Sequence, residues 1–189
     1  MRLPFYTIGH STRTLEEFAG LLRVAGVGQV VDIRTVPKSR TNPQYNEDTL
    51  PGSLAAFQVG YERIAELGGL RGKSRSVPAD TNGFWDNQSF HNYADYAMSD
   101  GFRLGLDRLV ALGRERRCAM MCSEAVWWRC HRRIVADYLI ARGEDVFHLM
   151  GQDRVEPAHL TEGARILPSG LVEYPRPIPE TPAATSRPV

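Results

Sequence analysis

Apolar residues fall in short blocks whose period changes along the chain. Pro4-Phe5-Tyr6-Thr7-Ile8 is a compact run ending in Gly9-His10-Ser11, the pattern of a strand and its turn. Thr14 and Glu17 then stand at capping-box spacing, and Leu15, Phe18, Leu21, Leu22 and Ala25 recur every third or fourth position before Gly26. This predicts a helix with one apolar face. Gln29-Val30-Val31-Asp32-Ile33-Arg34 returns to a β-branched strand run. Strand, helix and strand make a βαβ unit, and its right-handed crossover sets the two strands parallel. Their ends, bearing His10 and Asp32/Arg34, therefore open on one edge of the sheet, where ligands bind in open parallel sheets.

A polar, turn-rich stretch follows from Thr35 to Pro51. A helix is expected over 53–67, stopped by Gly68-Gly69. A basic loop over 70–88 carries Arg71, Lys73 and Arg75 and ends near Trp85. Residues 89–112 read as helical, with a break at Asp100-Gly101. Cys118-Ala-Met-Met-Cys122 is a buried strand, 127–142 a helix stopped by Gly143, and 145–150 another strand. This second βαβ unit completes an α/β fold: a single three-layer domain, residues 1–167, with a mostly parallel central sheet flanked by helices. The general plan is Rossmann-like or rhodanese-like. Prolines at 175, 177, 179, 182 and 188, with little to bury, predict an extended or disordered tail over 168–189.

Composition narrows the setting. Lys plus Arg number 23 against 22 for Asp plus Glu, so no global charge drives nucleic-acid or membrane binding, and any cationic site must be local. No apolar run has the length of a membrane span or a secretory leader. All three cysteines lie between Cys118 and Cys130, an odd number that reads as reduced thiols in a cytoplasmic protein.

The densest chemistry is at Cys122-Ser123-Glu124 and Arg129-Cys130-His131-Arg132. A cysteine at a strand end, before a helix and among arginines, is placed for thiolate formation or anion binding. As plain alternatives, Cys122 is a small buried strand residue, Glu124 a helix cap and His131 a packed core histidine. Six residues separate Cys122 from Arg129 and the loop lacks glycine, which argues against a phosphatase-type phosphate cradle. Cys122, Cys130 and His131 have metal-ligand chemistry but not the short spacing of common zinc modules, so no metal and no cofactor is expected. Glu124, Asp32, His10, Cys122 and His131 are the candidate catalytic residues. Ser11, Arg34, Lys38, Arg40, Arg129 and Arg132, with the aromatic surfaces of Tyr45 and Trp85, are the candidate substrate-binding set. Such a mixture suits a phosphate-bearing small molecule or nucleic acid. Trp127 is a further aromatic surface, though the plain reading of the basic loops is a solvated face.

Taken together, Thr7-Ile8-Gly9-His10-Ser11, Val31-Asp32-Ile33-Arg34, Pro37-Lys38-Ser39-Arg40, Tyr93-Ala94-Asp95-Tyr96 and the C-x-E-x5-C-H-R pattern at 122–132 resemble the domain of unknown function 488 family. The resemblance covers about residues 5 to 150. It implies a shared polar site mapping onto His10, Ser11, Asp32, Arg34, Cys122, Glu124, Cys130, His131 and Arg132.

Three functions follow as expectations. The first is a hydrolase or group transferase acting on a nucleotide or nucleic-acid-like substrate, with Glu124 or Asp32 moving protons. The second is a thiol-dependent sulfur-transfer or redox protein using Cys122. The third is a binding module for nucleotides or nucleic acid without turnover.

Overall fold

In the computed structural model, which describes residues 2–151 and 154–177, the two βαβ units interleave in one sheet. β1 (Phe5–Gly9) leads through α1 (Leu15–Val24) to β2 (Gln29–Asp32). Then come α2 (Leu50–Ala55), β3 (Gly60–Arg63), α3 (Gln88–Ala97) and α4 (Asp100–Glu115). β4 (Cys118–Cys122), α5 (Arg132–Ala141) and β5 (Val146–Gly151) form the second unit. Three short strands, β6 (Arg154–Pro157), β7 (Arg165–Ile166) and β8 (Val172–Glu173), follow.

The sheet order is β3-β2-β4-β1-β5-β6, parallel throughout except where β6 runs against β5. The single α/β domain with helices around a mostly parallel sheet is therefore the fold. β4, though late in the sequence, lies between β1 and β2. Gly9 is in register with Cys122, and Asp32 with Met121. Three strand ends distant in sequence thus meet at one edge.

Alternation along each strand sends side chains into two cores. Tyr6, Ile8, Val30, Ala119 and Met121 pack with Phe18, Leu22, Leu50 and Leu54 of α1 and α2. Phe5, Val31, Met120 and Cys122 pack with Phe102, Leu106, Ile134, Val135 and Leu139 of α4 and α5. A sheet covered on both faces demands apolar residues at every position, which is why β4 reads as an uninterrupted Cys-Ala-Met-Met-Cys run. The caps are local: the Thr14/Glu17 capping box starts α1, and the Asn87 side chain accepts from the Ser89 and Phe90 N–H groups. Ser99 caps α4, so the expected break at Asp100-Gly101 falls two residues earlier, at Met98-Ser99 between α3 and α4.

Three elements differ from the sequence expectation. The helix foreseen over 53–67 ends at Ala55, and a left-handed Gln58 (φ 62°) turns the chain into β3. That strand is only four residues long and half-buried at one flank of the main run, so its apolar period is too short to register. The helix foreseen from Trp127 is a single 3-10 turn, Trp127–Arg129, and α5 itself begins at Arg132. Trp127 is drawn down to stack on His148, with ring centroids 4.4 Å apart and 8° between planes, while Cys130 turns into the core. Arg129 therefore precedes the helix and is not in its first turn.

The third difference lies after Pro168. Val172 and Tyr174 are buried, the Tyr174 N–H donates to the Asn82 side-chain carbonyl at 3.1 Å, and its hydroxyl donates to Asp137 at 2.8 Å. Packing thus continues past residue 167 to Tyr174, anchored by one aromatic ring that a count of prolines does not weigh. The remainder of the expected tail, 178–189, lies outside the described residues.

Candidate active site at the strand ends

The end of β2 builds the rigid wall of the site. Asp32 is fully buried and its carboxylate accepts from Arg34 Nε at 2.9 Å and Nη2 at 2.5 Å, and from the Tyr61 hydroxyl at 2.7 Å. Arg34 also donates to the Tyr45 carbonyl at 2.7 Å and meets His10 Nε2 at 3.3 Å. Since a guanidinium can only donate, that contact makes His10 Nε2 an acceptor and places the ring proton on Nδ1, which donates to the Ser11 carbonyl at 2.9 Å. His10 stacks on Tyr45, with centroids 4.2 Å apart. Burial pushes its pKa down to about 4, so it is neutral at pH 7. Both of its nitrogens and both oxygens of Asp32 are occupied by internal partners.

The end of β4 builds the floor. Cys122, 2% exposed, brings its sulfur to 2.6 Å from that of Cys130. The Glu124 N–H points at Cys122 Sγ from 3.4 Å, and the Arg132 N–H, in the first turn of α5, at Cys130 Sγ from 3.5 Å. Amides at a helix start favour negative charge on sulfur. The Cys130 hydrogen bond holds the Cys122 thiol below its usual range, against the desolvation that opposes it. Burial pushes Cys130 well above the usual range. Cys118, on the same strand but remote from the edge, is raised by burial to about 12 and is a core residue.

Arg132 lies beneath this pair and is 1% exposed. One Nη donates to the Glu124 carbonyl at 2.7 Å, while Nε and the other Nη have no partner, and among the described residues no carboxylate lies within ion-pair distance. A buried guanidinium without a counter-charge is costly, and, after the Cys130 hydrogen bond, its charge is one of the causes that lower the Cys122 pKa. His131 closes the floor. Its Nε2 donates to the Ile33 carbonyl at 3.0 Å, and Nδ1 faces Cys130 Sγ at 3.6 Å. Burial lowers its pKa to about 4. A Cβ on Gly69 would run into this ring, so the glycine lets the backbone of 69–70 lie over the imidazole. Gly9 does the same for the turn after β4, where a Cβ would meet the Glu124 carbonyl.

Above the floor is a cavity of about 690 Å³ whose lining includes His10, Arg34, Lys38, Cys122, Glu124 and Arg129. Ser11, in the left-handed region at φ 49°, lines it too, its N–H donating to the Ser123 carbonyl at 3.0 Å. Cys130 and His131 complete the inner surface. The structure thus brings together eight of the thirteen candidate residues: His10, Ser11, Arg34, Lys38, Cys122, Glu124, Arg129 and His131. Asp32 and Arg132 stand one layer behind. Tyr45 and Trp85 are corrections: Tyr45 is buried with its hydroxyl donating to the Arg13 and Thr14 carbonyls, and Trp85 is enclosed by Phe84, Phe90 and Tyr174. Neither presents a ring to the cavity. Arg40 is exposed outside it. Sequence reasoning missed Thr35, Gly69, Leu70 and Phe90 in the lining. The Gly68-Gly69 pair was the available signal, readable as a close backbone approach as well as a helix stop.

Fold and site define an α/β protein with a paired-thiol pocket at the carboxyl edge of a parallel sheet. A family model, domain of unknown function DUF488, matches residues 14–139, about two thirds of the sequence, and the chain belongs to that family. Comparison with curated proteins and with solved structures gave no match.

Proposed function

We propose that the chain is a thiol enzyme that reduces a small anionic disulfide, with Cys122 as nucleophile and Cys130 as resolving thiol. The observation that carries this reading is the 2.6 Å approach of the two sulfurs at the floor of an open cavity. Arg132, buried and without a carboxylate, favours the thiolate form of Cys122. Lys38 and Arg129 at the cavity wall favour an anionic substrate, the charge class expected of a phosphate-bearing ligand. The alternative acid–base reading would rest on Glu124, which lines the cavity, because Asp32 and His10 are held by internal contacts.

In the step proposed, the Cys122 thiolate attacks one sulfur of R–S–S–R. The substrate S–S bond breaks, one R–S⁻ leaves and takes a proton, and a mixed disulfide remains on Cys122. Cys130 then loses its proton and attacks the Cys122 sulfur, expelling the second R–S⁻. Two electrons have passed to the substrate and the protein ends as a disulfide, which a second thiol must reduce for turnover.

The test uses reduced protein and 3,3′-dithiodipropionate, a dianionic disulfide, followed by mass spectrometry. Wild type is expected to form the internal disulfide. Cys130→Ser is expected to accumulate a mixed disulfide at Cys122, and Cys122→Ser to form neither product. Cys122 remaining unmodified in the folded wild type and in Cys130→Ser overturns the proposal.

A further inference from the structure

The dithiol has a third neighbour whose geometry serves a different purpose. We infer that, in the reduced state, Cys122 Sγ, Cys130 Sγ and His131 Nδ1 form a three-ligand site for a soft divalent cation of the zinc and cadmium class, with a fourth position open to the cavity. The inference shares its sulfurs with the proposed exchange reaction but does not require that reaction to occur.

The three ligand atoms all lie within 4.8 Å of one another. The Cys130 Sγ to His131 Nδ1 separation, 3.6 Å, matches the roughly 3.5 Å between sulfur and nitrogen on a tetrahedral zinc with bonds of about 2.3 and 2.0 Å. The sulfurs, at 2.6 Å, must part to about 3.8 Å in the same geometry. Cys122 borders open space, so a rotation of its thiol toward the cavity provides this.

The histidine is already set as a ligand. Its Nε2–H donates to the Ile33 carbonyl at 3.0 Å, which fixes the tautomer and leaves the Nδ1 lone pair facing the sulfurs. A backbone carbonyl on the far ring nitrogen is the outer contact that metal-binding histidines make. Two thiolates and one imidazole select a thiophilic cation over magnesium or calcium, whose ligands are oxygens. Two thiolates balance a divalent ion, so the Arg132 charge stays in excess and favours an anion or hydroxide at the fourth position. Ser11, Ser123, Glu124 and Arg129 border the space where that group enters.

Sharing the sulfurs makes the site dependent on redox state. A disulfide R–S–S–R accepts two electrons from the two metal-bound thiolates and two protons from water. The sulfurs join, two R–SH form, and the cation leaves because two of its ligands are gone.

The experiment titrates the reduced full-length protein with cobalt(II) and with zinc, without oxygen. Expected is one equivalent per chain, with thiolate-to-cobalt charge transfer and the intense visible bands of tetrahedral cobalt. Zinc is expected to displace the cobalt and to shield both thiols from alkylation. The disulfide form is expected not to bind, Cys118→Ser to bind normally, and His131→Ala to weaken binding by roughly tenfold or more. If that variant fails to fold, the alkylation shielding in wild type remains the deciding readout. The inference is overturned if reduced, folded wild type takes up no metal at micromolar concentration, or if binding survives the Cys122→Ser/Cys130→Ser double substitution. Disulfide exchange without metal binding would overturn this inference alone. Metal binding by a protein whose metal-free Cys122 is inert would overturn the exchange reaction alone.

Discussion

Asp32 and Arg34 show how a pair of charged residues at a strand end can be architecture. The two are 0% and 6% exposed and joined by three hydrogen bonds, one from the Arg34 backbone N–H and two from its guanidinium, with Tyr61, Tyr45 and His10 taking up remaining sites. Removing the carboxylate charge leaves a buried guanidinium uncompensated. Asp32→Asn is therefore expected to lower stability by about 3–5 kcal/mol, measured as a shift in denaturant midpoint. If instead Asp32→Asn kept full stability while turnover vanished, its place among the catalytic residues would be restored. Cys122, Cys130, His131 and Arg132 were legible in the sequence because their spacing forms a motif. The internal roles of Asp32, His10 and Tyr45 were not, since a polar side chain at a strand end reads the same whether it faces a cavity or a neighbour.

Among the elements, the first βαβ unit was legible because capping residues and apolar period coincide, as at Thr14, Glu17 and Phe18, and the second because the apolar run of β4 and the Gly143 stop frame a helix that has no side-chain cap. What escaped were pieces set by tertiary contact: β3, held by pairing with β2, and the late start of α5, set by the Trp127 stack on His148. Two glycines separate packing from function. At Gly113 of α4 a Cβ would meet the Phe5 ring, and at Gly9 of β1 it would meet the Glu124 carbonyl beside the thiols. Alanine at either position is expected to cost about 1–3 kcal/mol by overpacking. Only Gly9→Ala should also change the rate at which iodoacetamide labels Cys122 in the folded protein. Equal labelling rates in the two variants would show that the turn after β4 does not shape the thiol.

The C-terminal segment ties the last described strands to α5 through Asp137, which accepts from the Tyr174 hydroxyl and the Thr161 N–H. Burial raises the Asp137 pKa from 3.8 to about 6, so between those values the folded state holds a proton that the unfolded chain has lost. The stability linked to this proton is complete below pH 3.8 and is lost as pH rises through about 6. It amounts to up to about 3 kcal/mol at 1.36 kcal/mol per unit. His148, lowered by burial to about 4, acts oppositely: its share is complete above pH 6.5 and lost as pH falls toward 4. Unfolding measured from pH 4 to 7 should therefore show a steeper rise of stability with pH in Asp137→Asn than in wild type. Parallel profiles would place the proton elsewhere. Among the described residues no helix is long and apolar enough to cross a membrane.

The position of β4 bears on how the protein is made. Because β4 lies between β1 and β2, the first two strands do not pair with each other in the folded sheet, and the sheet closes there only once residues 118–122 are in place. Loop closure over that distance slows folding, but it also means that the nascent chain has no pocket before its thiols arrive. Cys122, Cys130 and the arginine beneath them enter together, within one short stretch of translation. The folded pocket therefore cannot form from the first βαβ unit alone.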